Sequence, residues 1–332
     1  MMTDRQLLQN SGLGNYLEPE EIQMMLAFGK LTEYSDGEVI MQQGKMSNGI
    51  YVVVEGAVEK TARMLGEMTT IIDVFSQGEF FGEISFTENV PSAASVIAKG
   101  KVKCLFLTRI YLESISENYR ETKYKLFNEI SQQVCTRLKK MHDKVVTVIS
   151  SAEMITQSMF TEMMHSLTKP SQYTLEEGGI TYEYLRNMTV FSRFTDDELQ
   201  ELFTHLAIIT APKRCTIIHE GGADSSCYIV IQGAVQSSIH HEMKYAKLSV
   251  IGPSTLFSGT SCIGHHIPFT ANFMTCEHAI LLRLSEEDVE YFKKNHPVLW
   301  YKLFDLIFKS LVALEKSVNK LDIRLNIEIY NR

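Results

Sequence analysis

Short runs of alternating apolar and polar residues, separated by glycine-containing turns, follow one another through the first third of the chain. These runs are Glu38–Gln42, Gly49–Glu55, Thr69–Val74, Ala94–Ala98 and Lys103–Leu107. Side chains alternate between the two faces of a strand, so short runs at a spacing of about ten residues predict a small antiparallel barrel or sandwich. A short acidic helix is predicted ahead of the strands, around Glu18 to Phe28, and again around Asp196 to Leu206.

A long helix is predicted after each set of strands. In the second of these helices apolar residues recur three and four positions apart, at Phe304, Ile307, Leu311, Leu314, Val318, Leu321 and Leu325. This spacing is typical of a seam that packs against another helix. We therefore expect helix pairing, either within the chain or in a homodimer. The alternative, a helix lying on its own barrel, calls for a broader apolar stripe.

The sequence repeats itself at a constant offset, the one that aligns Gly44 with Gly221, and this repeat predicts two copies of one module. At the same offset Tyr51 matches Tyr228, Gly56-Ala-Val58 matches Gly233-Ala-Val235, Phe80 matches Phe257, and Gly82 matches Gly259. The predicted first domain with its closing helix is residues 12–148, and the second is residues 187–332. A linker at 149–186 contains a Met-rich amphipathic stretch, Met154 to Met164.

The composition excludes several classes of protein. Of the 332 residues, 45% are hydrophobic and the net charge is -8, which argues against an electrostatic grip on nucleic acid. No run of apolar residues approaches the length of a membrane span, and the N-terminus lacks the pattern of a signal peptide. The six cysteines form no CxxC pair. We therefore expect a cytoplasmic protein with reduced thiols, bound neither to nucleic acid nor to a membrane.

Two adjacent segments carry a resemblance to a known family. Gly78-Glu-Phe-Phe-Gly-Glu-Ile-Ser85, followed by Asn89-Val-Pro-Ser-Ala-Ala-Ser-Val96, resembles the phosphate-binding cassette of the cyclic-nucleotide-binding domain family. That family includes the cAMP-receptor transcription factors and the regulatory subunits of cAMP-dependent kinase. The resemblance implies an α+β fold with two tandem β-barrel, jelly-roll domains, each followed by a long α-helix. It implies a ligand site in the first domain at Phe81, Gly82, Glu83, Ile84, Ser85, Ser92 and Ala93.

The first cassette departs from the family at its charged residue. In the family, a glutamate at the position of Glu83 binds the ribose hydroxyl, and an arginine at the position of Ser92 pairs with the phosphate. A hydroxyl supplies no charge, so its presence there would cost about 2–4 kcal/mol of binding free energy. Arg63, on a neighbouring strand, is an alternative source of positive charge. For Glu83 the alternative role is a carboxylate that caps its own helix.

The second cassette, Gly252 to Ala271, departs further. Thr260 stands at the position of the glutamate and Phe269 at the position of the arginine, so we expect no cyclic nucleotide there. The adjacent histidines His240-His241 and His265-His266 point to opposite faces of a regular strand, so we expect no metal site.

Together these patterns predict a non-enzymatic regulatory or scaffold protein. No catalytic constellation, conventional cofactor site or DNA-reading helix-turn-helix is expected. The degenerate cassette favours action through a protein partner, with weak or no binding of cyclic nucleotide. The alternative is a cyclic-nucleotide sensor that binds its ligand in the first domain.

Overall fold

The computed structural model describes residues 2–63, 69–151, 169–175, 177–222, 226–241, 244–258, 263 and 270–330, without the side chains of residues 151, 244 and 326–330. The chain divides into two compact units. The first is Met1–Val134 with Asp322–Arg332, and the second is Cys135–Leu321. The domain boundaries predicted from the sequence stay predictions, and the Met154 to Met164 stretch lies outside the described residues.

Two capped helices open the first unit. Helix α1 (Asp4–Gln9) begins at Thr3, whose side chain accepts from the Gln6 amide. Helix α2 (Pro19–Phe28) has proline in its first turn and a reciprocal cap between Glu18 and Glu21. Proline fits this position because its missing N–H would have no partner inside the helix. The predicted acidic helix is thereby confirmed.

The strands of the first unit form one antiparallel sheet within the described residues. They are β1 (Lys30–Tyr34), β2 (Val39–Met41), β3 (Gly49–Arg63), β4 (Thr69–Ser76), β5 (Phe80–Phe81) and β6 (Ser95–Thr108). The order is β1-β6-β3-β4, with β2 on β6 and β5 on β3. The prediction of separate strands at Ala94–Ala98 and Lys103–Leu107 is wrong. Bulges around Glu55 on β3 keep β6 paired along both of these segments, so they form one strand.

A cluster of buried apolar side chains comes from the strands of this sheet. Its members are Val53, Val58, Phe75, Phe81, Val96, Ala98, Val102 and Cys104. Helix α3 (Glu83–Glu88) lies inside the cassette, between β5 and β6, and two helices follow β6: α4 (Arg109–Asn118) and the closing helix α5 (Arg120–Ser151). The boundary between the two units falls within α5.

The second unit contains two antiparallel sheets. One has the order β13-β10-β15-β8-β7 and the other β12-β11-β14-β9. The strands are β7 (Ser171–Tyr173), β8 (Leu206–Ala211), β9 (Thr216–Ile218), β10 (Cys227–Gln232), β11 (Val235–His241), β12 (Lys244–Ile251), β13 (Leu256–Phe257), β14 (Asn272–Thr275) and β15 (Ala279–Leu284). Strand β7 lies in the segment predicted to be a linker, and it pairs with β8. Part of the predicted linker therefore belongs to a sheet.

The helices of the second copy are α6 (Tyr182–Arg186), α7 (Asp196–Thr204), α8 (Glu286–Asn295) and α9 (Pro297–Tyr330). Helix α7 ends before the predicted Leu206, because that residue begins β8. All the predicted seam residues of α9 are buried except Leu314, which is half-buried. The tandem jelly-roll fold is confirmed, although within the described residues its strands form open sheets and no closed barrel.

The offset between the copies is not constant, which corrects part of the predicted repeat. Tyr51 faces Phe81, whereas Tyr228 faces Phe257, so Phe257 corresponds to Phe81 and not to Phe80. Ser258 likewise takes the place of Gly82. The β11–β12 hairpin is one residue shorter than the β3–β4 hairpin, since Val58 faces Phe75 but Val235 faces Ile251. The original offset returns at β14. Phe273 faces Ile218 in the second copy, and their counterparts at the original offset, Val96 and Met41, face each other in the first copy.

Candidate functional site

Phe81 anchors the start of the cassette in the core of the first unit. Its ring stacks on Tyr51, with centroids 5.0 Å apart, and on Phe75 at 5.7 Å. Burial raises the pKa of the Tyr51 hydroxyl to about 12. Only 1% of the Phe81 surface is exposed. Phe81 therefore holds the cassette on the sheet and presents no ring surface to solvent.

Gly82 and Glu83 start the cassette helix. Gly82 has φ +92°, a left-handed conformation that glycine adopts without the strain caused by a Cβ atom. Glu83 is the first residue of α3, and only 3% of its surface is exposed. A carboxylate in the first turn of a helix is favoured by the helix dipole. Asn89, with φ +50°, ends the helix.

Ser85 connects the cassette helix to the loop that follows it and to Ser47. Its buried hydroxyl donates to the Val90 carbonyl at 2.7 Å and accepts from the Ser47 amide at 2.9 Å. Ile84, beside it, is half-buried. The Ser85 hydroxyl is thus used by the fold, and its observed contacts are with the backbone of the protein.

Ser92 directs its hydroxyl into its own loop. The Oγ atom donates to the Ala94 carbonyl at 2.7 Å, and the Ser92 amide donates to the Lys45 carbonyl at 2.9 Å. Its carbonyl accepts from the Gly44 amide at 2.8 Å. Ala93, next to it, is exposed. The residue in the arginine position is therefore fixed by local hydrogen bonds.

Charge in this cassette is entirely negative. Residues 78–94 contain three glutamates and no lysine, arginine or histidine. Arg63 ends β3 with an exposed side chain. Arg109 does meet α3, but its guanidinium donates to Asn48 Oδ1 at 2.7 Å and to the Phe86 carbonyl at 3.3 Å. It also lies over the Phe86 ring, 4.5 Å from the centroid. Arg109 therefore supports the helix from α4.

Sequence reasoning missed three residues that hold this site: Arg109, Ser47 and Gln133. Gln133 on α5 contacts the backbone on both sides of Glu79, in the turn with which the cassette begins. In the sequence, Gln133 is only a polar residue next to the apolar positions of a long predicted helix. Nothing in that pattern indicates which backbone groups the amide contacts.

The second cassette lies mostly beyond the described residues. Thr260, Phe269 and His265-His266 all fall there, as does Gly259, which is the next residue after the structural counterpart of Gly82. Of the histidines that are described, His240 contacts Ser238 through its ring and donates its amide to Glu220 Oε2 at 3.2 Å. Among the described residues no group of three or more His, Cys, Asp or Glu is placed to hold a metal ion.

The predicted helix pairing has a polar contact at its centre. Arg137 of α5 donates through Nε to Glu315 Oε1 of α9 at 2.8 Å, and both side chains are buried. Helices α5 and α9 of one chain therefore meet in the second unit. A homodimer through the same seam stays a prediction. Within the described part of the chain, no helix is both long and apolar enough to cross a membrane.

The family model for the cyclic nucleotide-binding domain matches residues 31–119 and 208–296, more than half of the chain. The chain therefore belongs to the cyclic nucleotide-binding domain family, in two tandem copies. The starts of the two matched ranges differ by the same offset as Gly44 and Gly221, in agreement with the predicted repeat.

Individual relatives match over shorter stretches. The cAMP-dependent protein kinase regulatory subunit of Mycosarcoma maydis is 36% identical to this chain over 72 residues. That stretch is 21% of this chain and 13% of the relative. The cyclic AMP receptor protein of Thermus thermophilus is 29% identical to this chain over 102 residues. That stretch is 31% of this chain and 47% of the relative. The chain spans less than half the length of these relatives.

Among solved structures, the regulatory domain of Toxoplasma gondii PKA with cAMP is similar over 90% of this chain and 93% of that chain. The sequence identity is 14% and the TM-score is 0.32.

Proposed function

We propose that this chain is a non-enzymatic regulatory protein whose tandem domains act through a protein partner, with weak or no binding of cyclic nucleotide. The observation that carries the proposal is Ser92. It occupies the position of the phosphate-binding arginine, and its hydroxyl donates to the Ala94 carbonyl. Residues 78–94 contain three glutamates and no cationic residue, so this segment offers a phosphate no counter-charge. Two negative groups in one partly buried site repel each other.

Exposed apolar residues of the first copy support the choice of a protein partner. Phe28, Ile110 and Tyr119 are 67%, 79% and 53% exposed. The residues at the matching positions of the repeat in the second copy are His205, Glu287 and His296, which are polar or charged. The shared fold therefore does not require apolar side chains here. At these positions the first copy alone exposes large apolar side chains, which are available for contact with another protein.

A nucleotide sensor is the second candidate, and the geometry of Gly82 favours it. Gly82 keeps φ +92° directly before the buried Glu83, so the backbone at the family's ribose-binding carboxylate is retained. In this alternative the first domain binds a cyclic nucleotide and moves its closing helix. Such a ligand must bind one helix position more tightly than the other, or no signal results.

Isothermal titration calorimetry separates the two candidates. Purified protein is titrated with cAMP, cGMP and cyclic dinucleotides, alongside the variants Glu83→Ala, Ser92→Arg and Ser92→Ala. We expect no saturable heat from the natural chain. Ser92→Arg supplies the missing charge and should gain roughly 30- to 1000-fold in affinity for cAMP over the natural chain. Ser92→Ala, the uncharged control, should not.

Saturable heat from the natural chain that weakens in Glu83→Ala would establish the sensor and overturn the proposal. The absence of heat counts only for protein whose circular dichroism shows a folded state. If Ser92→Arg also stays silent, the missing charge at Ser92 is not what prevents binding, and the argument from Ser92 fails.

A further inference from the structure

Gln133 uses its whole amide to join the closing helix to the turn with which the cassette begins. Its Nε2 donates to the Gly78 carbonyl at 3.0 Å and to Glu129 Oε1 at 2.8 Å. Its Oε1 accepts from the Phe80 amide at 2.8 Å. Both amide protons and the amide oxygen are therefore engaged, and the side chain bonds the backbone on either side of Glu79.

The turn that Gln133 contacts is held by other elements as well. The Gly78 amide donates to the Val53 carbonyl at 2.8 Å, and the Gln77 side chain donates to the Leu7 carbonyl of α1 at 2.6 Å. A Cβ atom on Gly78 would lie 2.5 Å from Ser11, so the N-terminal segment leaves no space beside the turn. Sheet, N-terminal segment and closing helix therefore meet at one tight turn directly before Phe81.

The second copy shows that the fold does not require this amide. Helices α5 and α9 begin at Arg120 and Pro297, which are matching positions of the repeat. The residue of α9 at the position of Gln133 is Ser310, and the residue at the position of Glu129 is Leu306. Neither can reproduce the two bonds to the backbone of the turn. Gln133 and Glu129 are thus specific to the copy that retains the cassette glutamate.

We propose that Gln133 is a positioning residue that latches the closing helix of the first copy to the first turn and strand of the cassette. The latch consists only of groups of the protein itself. Movement of α5 away from the turn breaks its bonds to Gly78 and Phe80, and a shift of the cassette strand releases α5. A partner that draws α5 away therefore alters the cassette, whether or not a nucleotide binds there. The inference goes beyond the proposed function and does not depend on the identity of the partner.

Hydrogen–deuterium exchange of the full chain tests the latch without any ligand. Gln133→Met keeps the length of the side chain but removes all three hydrogen bonds. We expect exchange to accelerate by at least about tenfold in two separate segments, residues 78–82 and residues 127–134, because both lose bonds to the amide. The matched control is Gln132→Met. It removes the bond from the Tyr16 hydroxyl to Gln132 and leaves the Gln133 amide in place, so residues 78–82 should keep their natural rate.

A variant that can be ionised, Gln133→Glu, gives a second test. Its exchange rates should depend on pH if Gln133 is a latch, and should not if the side chain only fills space. In Gln133→Glu the ionised carboxylate cannot donate to Gly78 and repels the Glu129 carboxylate. The protonated form can donate to Gly78 while accepting from Phe80. Burial raises the pKa of Glu129, and a second carboxyl beside it raises the pKa of the pair further. With rates corrected for intrinsic exchange, this variant should be open where the pair is ionised and should close as the pH falls and one carboxyl of the pair takes up a proton. Gln133→Met should stay open throughout.

Three results would overturn the latch. The first is uniform acceleration of all segments, which indicates global destabilisation. The second is exchange in Gln133→Met that matches the natural chain. The third is a Gln133→Glu variant that does not regain protection at low pH while the natural chain remains folded. If Gln133→Met does not fold, the pH dependence of Gln133→Glu still decides between these outcomes.

Discussion

The ion pair between Arg137 and Glu315 provides a quantitative test of the contact between α5 and α9. Arg137 Nε lies 2.8 Å from Glu315 Oε1, and the two side chains are 4% and 0% exposed. Removing either partner takes this close contact of opposite charges away from a side chain that stays buried. We predict that Arg137→Met or Glu315→Leu alone lowers the free energy of unfolding by about 3–5 kcal/mol. The double variant should approach the stability of the natural chain, because packed apolar side chains replace both charges.

Trp300 makes the measurement specific. It is the only tryptophan of the chain, it is buried on α9, and it belongs to the same unit as the ion pair. Its fluorescence during urea unfolding therefore reports the transition of that unit, even if the two units unfold separately. The matched control is Arg186→Met. Arg186 makes two bonds to Asp196, at 2.6 and 3.0 Å, but the side chains are 52% and 56% exposed. We expect this loss to stay below about 1 kcal/mol.

Two outcomes would refute this reasoning. If each buried single variant stays within about 1 kcal/mol of the natural chain, the charges do not depend on each other for their burial. If the double variant loses the sum of the two single losses, the side chains contribute independent packing and the coupling is absent. A strong coupling energy, by contrast, confirms that α5 and α9 meet through a buried polar contact in solution.

Two further predictions follow from the ionisable groups. A hydrogen bond to the Glu220 carboxylate raises the pKa of His142, so the protonated imidazole stabilises the fold. The stability difference between the natural chain and His142→Gln, measured through Trp300 in urea, should be full below the unfolded pKa of about 6.5 and disappear as pH rises through the folded pKa; a pH-independent difference would contradict this. Burial raises the pKa values of Cys104 and Cys135 to about 12. Peptide mapping by mass spectrometry after maleimide labelling of the native protein at pH 8 should therefore find both unmodified and the partly exposed Cys276 modified; rapid labelling of Cys104 would show that its core opens.

The sequence was most informative where glycine and apolar periodicity act locally. Gly56 and Gly233 need positive φ in both copies, at +87° and +81°, so the turns could be recognised from residue type alone. The burial of the seam residues of α9 could be predicted because apolar residues at helical spacing lie on one face of a helix. The change in the repeat offset at Phe257 was not readable. It depends on the length of one hairpin, and a difference of a single position there leaves the apolar pattern on either side intact.

Contacts between distant segments account for the other omissions. The role of Gln133 follows from the backbone groups of Gly78 and Phe80, which are 55 and 53 residues away in the sequence. A side chain that forms hydrogen bonds with backbone groups can do so whatever the side chain of the partner residue is. Its partner therefore leaves no signal in the sequence. The same reasoning applies to Ser47, whose amide donates to the Ser85 hydroxyl.

The cassette illustrates why a family resemblance and a ligand site are separate conclusions. Phe81 is retained as a member of the core, Gly82 for its left-handed turn, and Ser85 as the tie between Val90 and Ser47. Each of these residues has a role in the fold whether or not a nucleotide binds, so their presence alone does not decide between the two candidate functions. The position that discriminates is Ser92, because the fold does not require a charge there and a bound phosphate does. Restoring that single charge is therefore the substitution that tests most directly whether the cassette can bind a cyclic nucleotide.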